Sequence, residues 1–383
     1  MKPLSIRAEL KKNDITTVLD VPCNDYGIDI ALQNLGETDM TETMQFCSHL
    51  GGDIPELAVL SEETVNVDEL NFLAKYLDSM TDKELRQFQA AMTVTKPTEI
   101  KDMINLAFNL HNYTLITDFS DMAAVGKNHL LNVERAVSAE MDDFYNFSQL
   151  GESLLTSGKG TVTPYGVLFV NDLTMQTVYD GQTFPQYLYE ECVFEVTVGY
   201  GDRLEYLYLP CAESSIDRAM HRLGASDLAD CSLENIDGMV FSRDSLSEIK
   251  YGFDASDIKG LNELSAVLTD FEQDDMKKLV AVCDCTDVSE FSAAARIAEN
   301  LDSFEFAPGV EKAEGLGQYL IKESGHYEYD SELDDYYNYE ALGEDTADTQ
   351  GGKFTSYGHI GIKDDLKLSD ILGEDEDITM GGM

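Results

Sequence analysis

Carboxylates are the side chains with which this sequence can do most. They crowd into Glu328-Tyr329-Asp330-Ser331-Glu332-Leu333-Asp334-Asp335, with Glu340, Glu344 and Asp345 close behind. They cluster again at Glu272, Asp274 and Asp275, and at Asp142 and Asp143. Such runs can act as general acids and bases, hold divalent cations, or bind a basic surface as a polyanion. The first two uses need fixed companions. The chain has no nucleophile elbow, phosphate-binding loop or kinase signature. Its six histidines (His49, His111, His129, His221, His326 and His359) fall in no metal-ligand spacing. Cys283-x-Cys285 has no second cysteine pair to complete a site, and Ile258 spoils a calcium loop around Asp254 and Asp257. Thr197-Val198-Gly199-Tyr200-Gly201-Asp202 matches a potassium-filter string, but without flanking membrane helices it reads as a hairpin turn. Leu204 removes the dinucleotide-binding alternative there. No cofactor is expected. For any single acid a solvated helix face is the ordinary explanation; the ensemble is what calls for a partner.

The ensemble is large. The chain carries 73 Asp and Glu against 26 Lys and Arg, a net charge of −47 over 383 residues. Like charge on this scale destabilises a compact state. B-DNA carries one charge per ~1.7 Å, so this charge matches roughly 80 Å of duplex. A compact globule of this length would be only about 50–55 Å across. The charge therefore points to a partner with a basic, DNA-shaped groove, and to an elongated molecule. Direct nucleic-acid binding is disfavoured at a pI near 4.1. A 43% hydrophobic content with 17 Phe and 19 Tyr supports real cores. The start, Met1 to Arg7, has no apolar signal core, no run reaches membrane-helix length, and seven sparse cysteines read as reduced thiols. A cytoplasmic location without membrane contact is the expectation.

The elements that carry these acids are written twice. DDFYNFSQLGE at 142–152 returns as DDYYNYEALGE at 334–344, and LDVPCNDYGIDIALQNLG at 19–36 returns as LYLPCAESSIDRAMHRLG at 207–224. Shared order and near-constant spacing indicate a duplication. We expect a first copy over 1–192, a second over 193–362 and an acidic tail over 363–383. The first holds 30 acids and 12 bases, −18; residues 193–383 hold 43 and 14, −29.

Within the second copy, Phe194–Leu209 predicts two strands about a glycine turn. Pro210–Gly224 predicts a helix capped by Ser214 or Ser215, with Ile216, Met220 and Leu223 on one face and Gly224 at its end. Residues 239–241 read as a strand and 257–282 as a helical hairpin. Val288–Leu301 is expected to be helical and Phe304–Phe306 a strand. Ala313–Lys322 and Leu333–Leu342 read as helices, and Lys353–Ile362 as a closing strand. The fold class is α+β: small modules in series. Crowded carboxylates should have raised pKa values as a group.

Three of these stretches resemble the C-terminal part of ArdA-type antirestriction proteins: Ala313–Gly325, Leu333–Asp345 and Gly351–Ile362. The segment from Leu261 is similar to that family's middle part. The resemblance covers nearly all of the second copy; the first fits through its repeat relation. It departs where Glu344 stands in place of a frequent Arg and Asn338 in place of Asp. The resemblance implies an elongated acidic mimic of B-DNA that dimerises and blocks Type I restriction-modification enzymes without catalysis. It also implies that the acids named above lie at phosphate positions in the target's groove: Glu272, Asp274, Asp275, Glu328, Asp330, Glu332, Asp334, Asp335, Glu340, Glu344, Asp345, Asp142 and Asp143. With both copies in one chain, the expected state is a monomer acting as a pseudo-dimer. Phe144, Tyr145, Phe147, Tyr336, Tyr337 and Tyr339 are candidate contacts between copies or core residues of their own modules. The Type I complex is the family's default target; a CRISPR effector or another defence nuclease, which presents the same kind of basic DNA channel, is the alternative. A general sequestrant of basic proteins is a second reading, separated by broad, salt-sensitive binding. A metal-assisted hydrolase is a third, separated by turnover with Mg²⁺ or Mn²⁺.

Overall fold

A computed structural model describes residues 3–134, 136, 145–187, 192–238, 254–286, 288, 290–363 and 366–373. The fold is α+β, with helices set between small antiparallel sheets. The chain divides into two compact units. The first takes residues 1–190 together with 203–206 and 212–225; the second takes the remainder.

In the first unit, strands β1 (Ile6–Lys12) and β2 (Ile15–Val21) form a hairpin. Alternation turns Ile6, Ala8 and Leu10 into the core. Helix α1 (Asp25–Asn34) starts at Asn24, whose side chain accepts the Gly27 N–H. Strands β3 (Met44–Gly52) and β4 (Glu63–Asn66) complete a sheet of order β2-β1-β3-β4. Three helices follow: α2 (Val67–Asp78), capped by Asn66; α3 (Asp82–Thr95), with a Thr81/Glu84 capping box; and α4 (Ile100–Phe108). Their apolar stripes join the sheet in one core that includes Leu32, Leu50, Leu70, Phe88 and Ile104. Then come β5 (Tyr113–Ile116), α5 (Met122–Glu134), α6 (Phe147–Thr156), β6 (Gly160–Thr163) and β7 (Gly166–Val170). These strands form a sheet of order β5-β7-β6. Beyond β7 the chain crosses α4 as an extended strap. Asn109 donates its side-chain N–H to the Gln176 carbonyl and Asn105 to that of Tyr179, each at 2.8 Å.

Strands β8 (Phe194–Tyr200), β9 (Arg203–Leu209) and β10 (Ser232–Gly238) pair in the order β10-β8-β9, with helix α7 (Glu213–Leu223) between the last two. Gly224 ends α7 in the left-handed region, φ +77°. The second unit continues with α8 (Ile258–Leu268), α9 (Gln273–Thr286), α10 (Phe291–Glu299), β11 (Phe304–Pro308) and α11 (Ala313–Lys322). It closes with α12 (Tyr339–Thr349), β12 (Lys353–Phe354), β13 (Gly358–Ile362) and α13 (Leu368–Leu372). The sheet order β11-β13-β12 matches β5-β7-β6. Asn71 bonds both the N–H and C=O of Cys23, at 2.9 and 3.0 Å; Asn262 does the same for Cys211, at 2.9 and 3.0 Å. Asn146 caps α6 as Asn338 caps α12.

The strand expected at 239–241 lies outside the described residues, just beyond β10. Several other expectations are corrected. Neither Ser214 nor Ser215 caps α7. Ala212 precedes it without a side-chain cap, Ser214 donates to Asp29 at 2.6 Å, and Ser215 accepts from Arg218. The helix expected from Val288 begins only at Phe291. Residues 333–342 are not one helix: a 3₁₀ turn over Ser331–Tyr336 ends at extended Tyr337, and α12 restarts behind the Asn338 cap. Lys353–Ile362 is a hairpin, because Thr355 accepts from the Tyr357 and Gly358 N–H groups and turns the chain. The tail is not wholly polar. Ile371 and Leu372 of α13 are buried, and Arg296 donates to the Leu372 carbonyl.

Candidate partner-binding surface

Two helices and a turn build a densely acidic surface. α11 and α12 meet at Gly317 and Gly343. A Cβ on Gly317 would lie 1.9 Å from the Tyr339 carbonyl oxygen, and one on Gly343 1.8 Å from that of Ala313. Only glycine permits this backbone-to-backbone crossing. Gly126 and Gly151 give α5 and α6 the same crossing, with spaces of 2.0 and 2.2 Å. Burying the glycine face of α12 leaves Glu340, Glu344, Asp345 and Asp348 exposed on it.

The 3₁₀ turn carries the next carboxylates. Asp330 starts it by accepting the Glu332 N–H at 2.9 Å, and its own N–H donates to the Tyr337 hydroxyl at 3.1 Å. Glu328, Asp330, Glu332 and Asp335 are exposed. Asp334 is partly exposed but engaged by its own module. It accepts from the Tyr329 and Tyr339 hydroxyls at 2.9 and 2.7 Å and pairs with Lys322 at 2.8 Å. The Lys322 ammonium also lies over both rings, 5.3 Å from the Tyr329 centroid and 4.9 Å from that of Tyr339. The Lys322 contact, with the two hydroxyls, holds the Asp334 carboxyl down at about 2. That is opposite to the rise expected from crowding: specific donors outweigh diffuse repulsion. Asp334 is thus tied to its own module by three partners, Lys322, Tyr329 and Tyr339.

The second group sits at the start of α9. Glu272 and Asp274 are exposed; Asp275 is partly buried and accepts the Glu272 N–H at 3.0 Å, while Asp274 pairs with Lys277 at 2.9 Å. Asp142 and Asp143 lie outside the described residues, as does Phe144. The structure thus brings Glu328 through Asp345 together in one module and places Glu272, Asp274 and Asp275 on another helix of the same unit. The aromatic pairs each lie within their own segment: Tyr145 and Phe147 stack at 6.2 Å, and Tyr337 and Tyr339 meet at a tilt at 5.7 Å.

Sequence reasoning missed a buried ion network in the first unit. Arg218 and Arg222, one turn apart on α7, reach Asp29 at 2.7 Å and Glu205 at 2.9 Å, and Arg222 also pairs with Asp68. Glu205 and the Arg218 side chain are almost wholly buried. Burial opposes the charge on Arg222, but Glu205 and Asp68 outweigh it and raise its pKa. Two arginines at i, i+4 in a chain so poor in bases were the available signal. Glu205 further accepts the Phe184 N–H at 2.9 Å, and Arg222 lies over the Phe184 ring. These contacts draw 203–206 and 212–225 into the first unit.

Residues 204–361, from β9 to β13, match the family model described as antirestriction protein (ArdA). No curated protein matches the chain.

Proposed function

We propose that this protein is a DNA-mimic inhibitor that places carboxylates where a Type I restriction-modification complex expects phosphates. The antirestriction match over 204–361 carries the reading. The exposed carboxylates Glu328, Glu332, Asp335, Glu340, Glu344 and Asp345, gathered in one module inside the matched stretch, support it. The mode of action is stoichiometric occupation of the target's groove, not turnover. We further propose that the chain is two diverged copies of one unit and acts as a covalent pseudo-dimer in which copy docking is intramolecular. The recurring sheet order, the Cys–Asn pairs and the glycine-crossed helix pairs support the duplication.

The test is DNA cleavage by a purified Type I complex at increasing duplex concentration. Inhibition should saturate near one protein per DNA groove and be relieved by excess duplex. Glu328→Gln/Glu332→Gln/Asp335→Asn/Glu340→Gln should weaken inhibition at least tenfold with an unchanged melting temperature, while each single change costs little. Inhibition that duplex does not relieve, or one single change that abolishes it, would sink the reading.

A further inference from the structure

Two tyrosines on the acidic module present much of their rings to solvent. Tyr336 is 84% exposed and Tyr327 50%. Among the described residues, neither ring stacks on another and neither hydroxyl has a hydrogen-bond partner. Large rings left in water cost solvation, and a polyanion that needed only charge would gain nothing from them.

The same module shows what such a ring does beside a carboxylate. Lys322 sits over Tyr329 and Tyr339 while its ammonium pairs with Asp334. A ring face supplies quadrupole attraction, and the acid supplies charge. Tyr327 and Tyr336 each have an exposed acid next to them in the chain: Glu328 follows the first, and Asp335 precedes the second. We infer that Tyr327 and Tyr336 receive, over their rings, the guanidinium or ammonium groups of a basic protein partner. A protein partner is favoured over a nucleic acid because the flanking carboxylates and the net charge of −47 repel phosphate. Arginine is the better guest, since its planar head stacks on a ring while bonding an adjacent carboxylate. The inference rests on the inhibitor reading for the partner's basic character. It adds that the surface is distinguished from a bare polyanion by aromatic cation receptors.

The test uses the full chain with ring-¹³C tyrosine, titrated with deca-arginine and deca-lysine peptides. Tyr327→Phe and Tyr336→Phe assign the two resonances and keep a ring in place. Both assigned resonances should shift on deca-arginine addition, and less on deca-lysine. Tyr327→Ala/Tyr336→Ala should lower deca-arginine affinity about tenfold, roughly two- to fivefold per ring, leaving the slope of log affinity against log salt unchanged. The double Phe variant should bind like the parent. Unmoved Tyr327 and Tyr336 resonances, or a Phe variant as weak as the Ala variant, would overturn the inference. So would resonances that move with protein concentration alone, which would assign the face to a second copy. Failure to inhibit a Type I complex, with the peptide shifts intact, would sink the inhibitor reading and leave this surface standing.

Discussion

Asp334 shows why a carboxylate's role is decided by what surrounds it. In the sequence it is one acid in a run of five, and nothing there marks it as different from Asp335. Its partners are Tyr329 and Tyr339, five positions to either side and beyond the ends of the 3₁₀ turn, and Lys322 on α11. The clamp has a pH signature. Its folded pKa, about 2, lies below the unfolded value near 3.9. Its stabilisation is thus complete above pH ~4 and is lost as pH falls through 4 toward 2. Asp334→Asn should remove that dependence, so the melting temperatures of the two proteins should converge near pH 2 and separate above pH 4. Parallel curves throughout would contradict the clamp. Gly352 gives a second residue-level prediction. A Cβ there would lie 2.2 Å from Nε2 of buried His359. Gly352→Ala should destabilise by about 1–3 kcal/mol in thermal melts, as overpacking does.

Elements were legible where periodicity and end signals agreed. The hairpin of β8 and β9, and helices α7 and α11, follow from alternation, helical spacing and a terminal glycine. Failures came where a short polar side chain interrupts a favourable stretch. Asn338 caps a new helix inside what reads as one, and Thr355 folds what reads as one strand. Both signals are local hydrogen bonds with little imprint on hydrophobic pattern. The acid surface was legible as composition; the crossing that presents it was not, since a glycine in a helix does not declare what approaches it. Gly317→Ala should therefore force α11 from α12, lowering the melting temperature and deprotecting amides of α12 in hydrogen exchange. An Ala variant with unaltered α12 protection would show that the crossing has slack.

Over the whole molecule, charge sets what can be measured. Light scattering should give one chain, 42.6 kDa, under conditions where inhibition occurs. A stable mass of twice that would contradict the pseudo-dimer while leaving mimicry intact. The repeated segments, 19–36 with 207–224 and 142–152 with 334–344, were legible in the sequence, and the proposed duplication rests on them. That the first compact unit reaches past residue 192 to Ala225 was not legible, because it depends on Arg218 and Arg222 meeting acids 189 and 154 positions earlier. This has a consequence for the chain as it is made. At roughly 5–20 residues per second, synthesis needs about two to seven seconds to travel from residue 190 to residue 225. Throughout that interval the nascent first unit holds Asp29 and Asp68 without their guanidinium partners. Its last helix arrives only after the opening strand of the next sheet, so the order of translation and the order of completion differ, and a ribosome stalled within that window would display an unfinished, acid-lined seam.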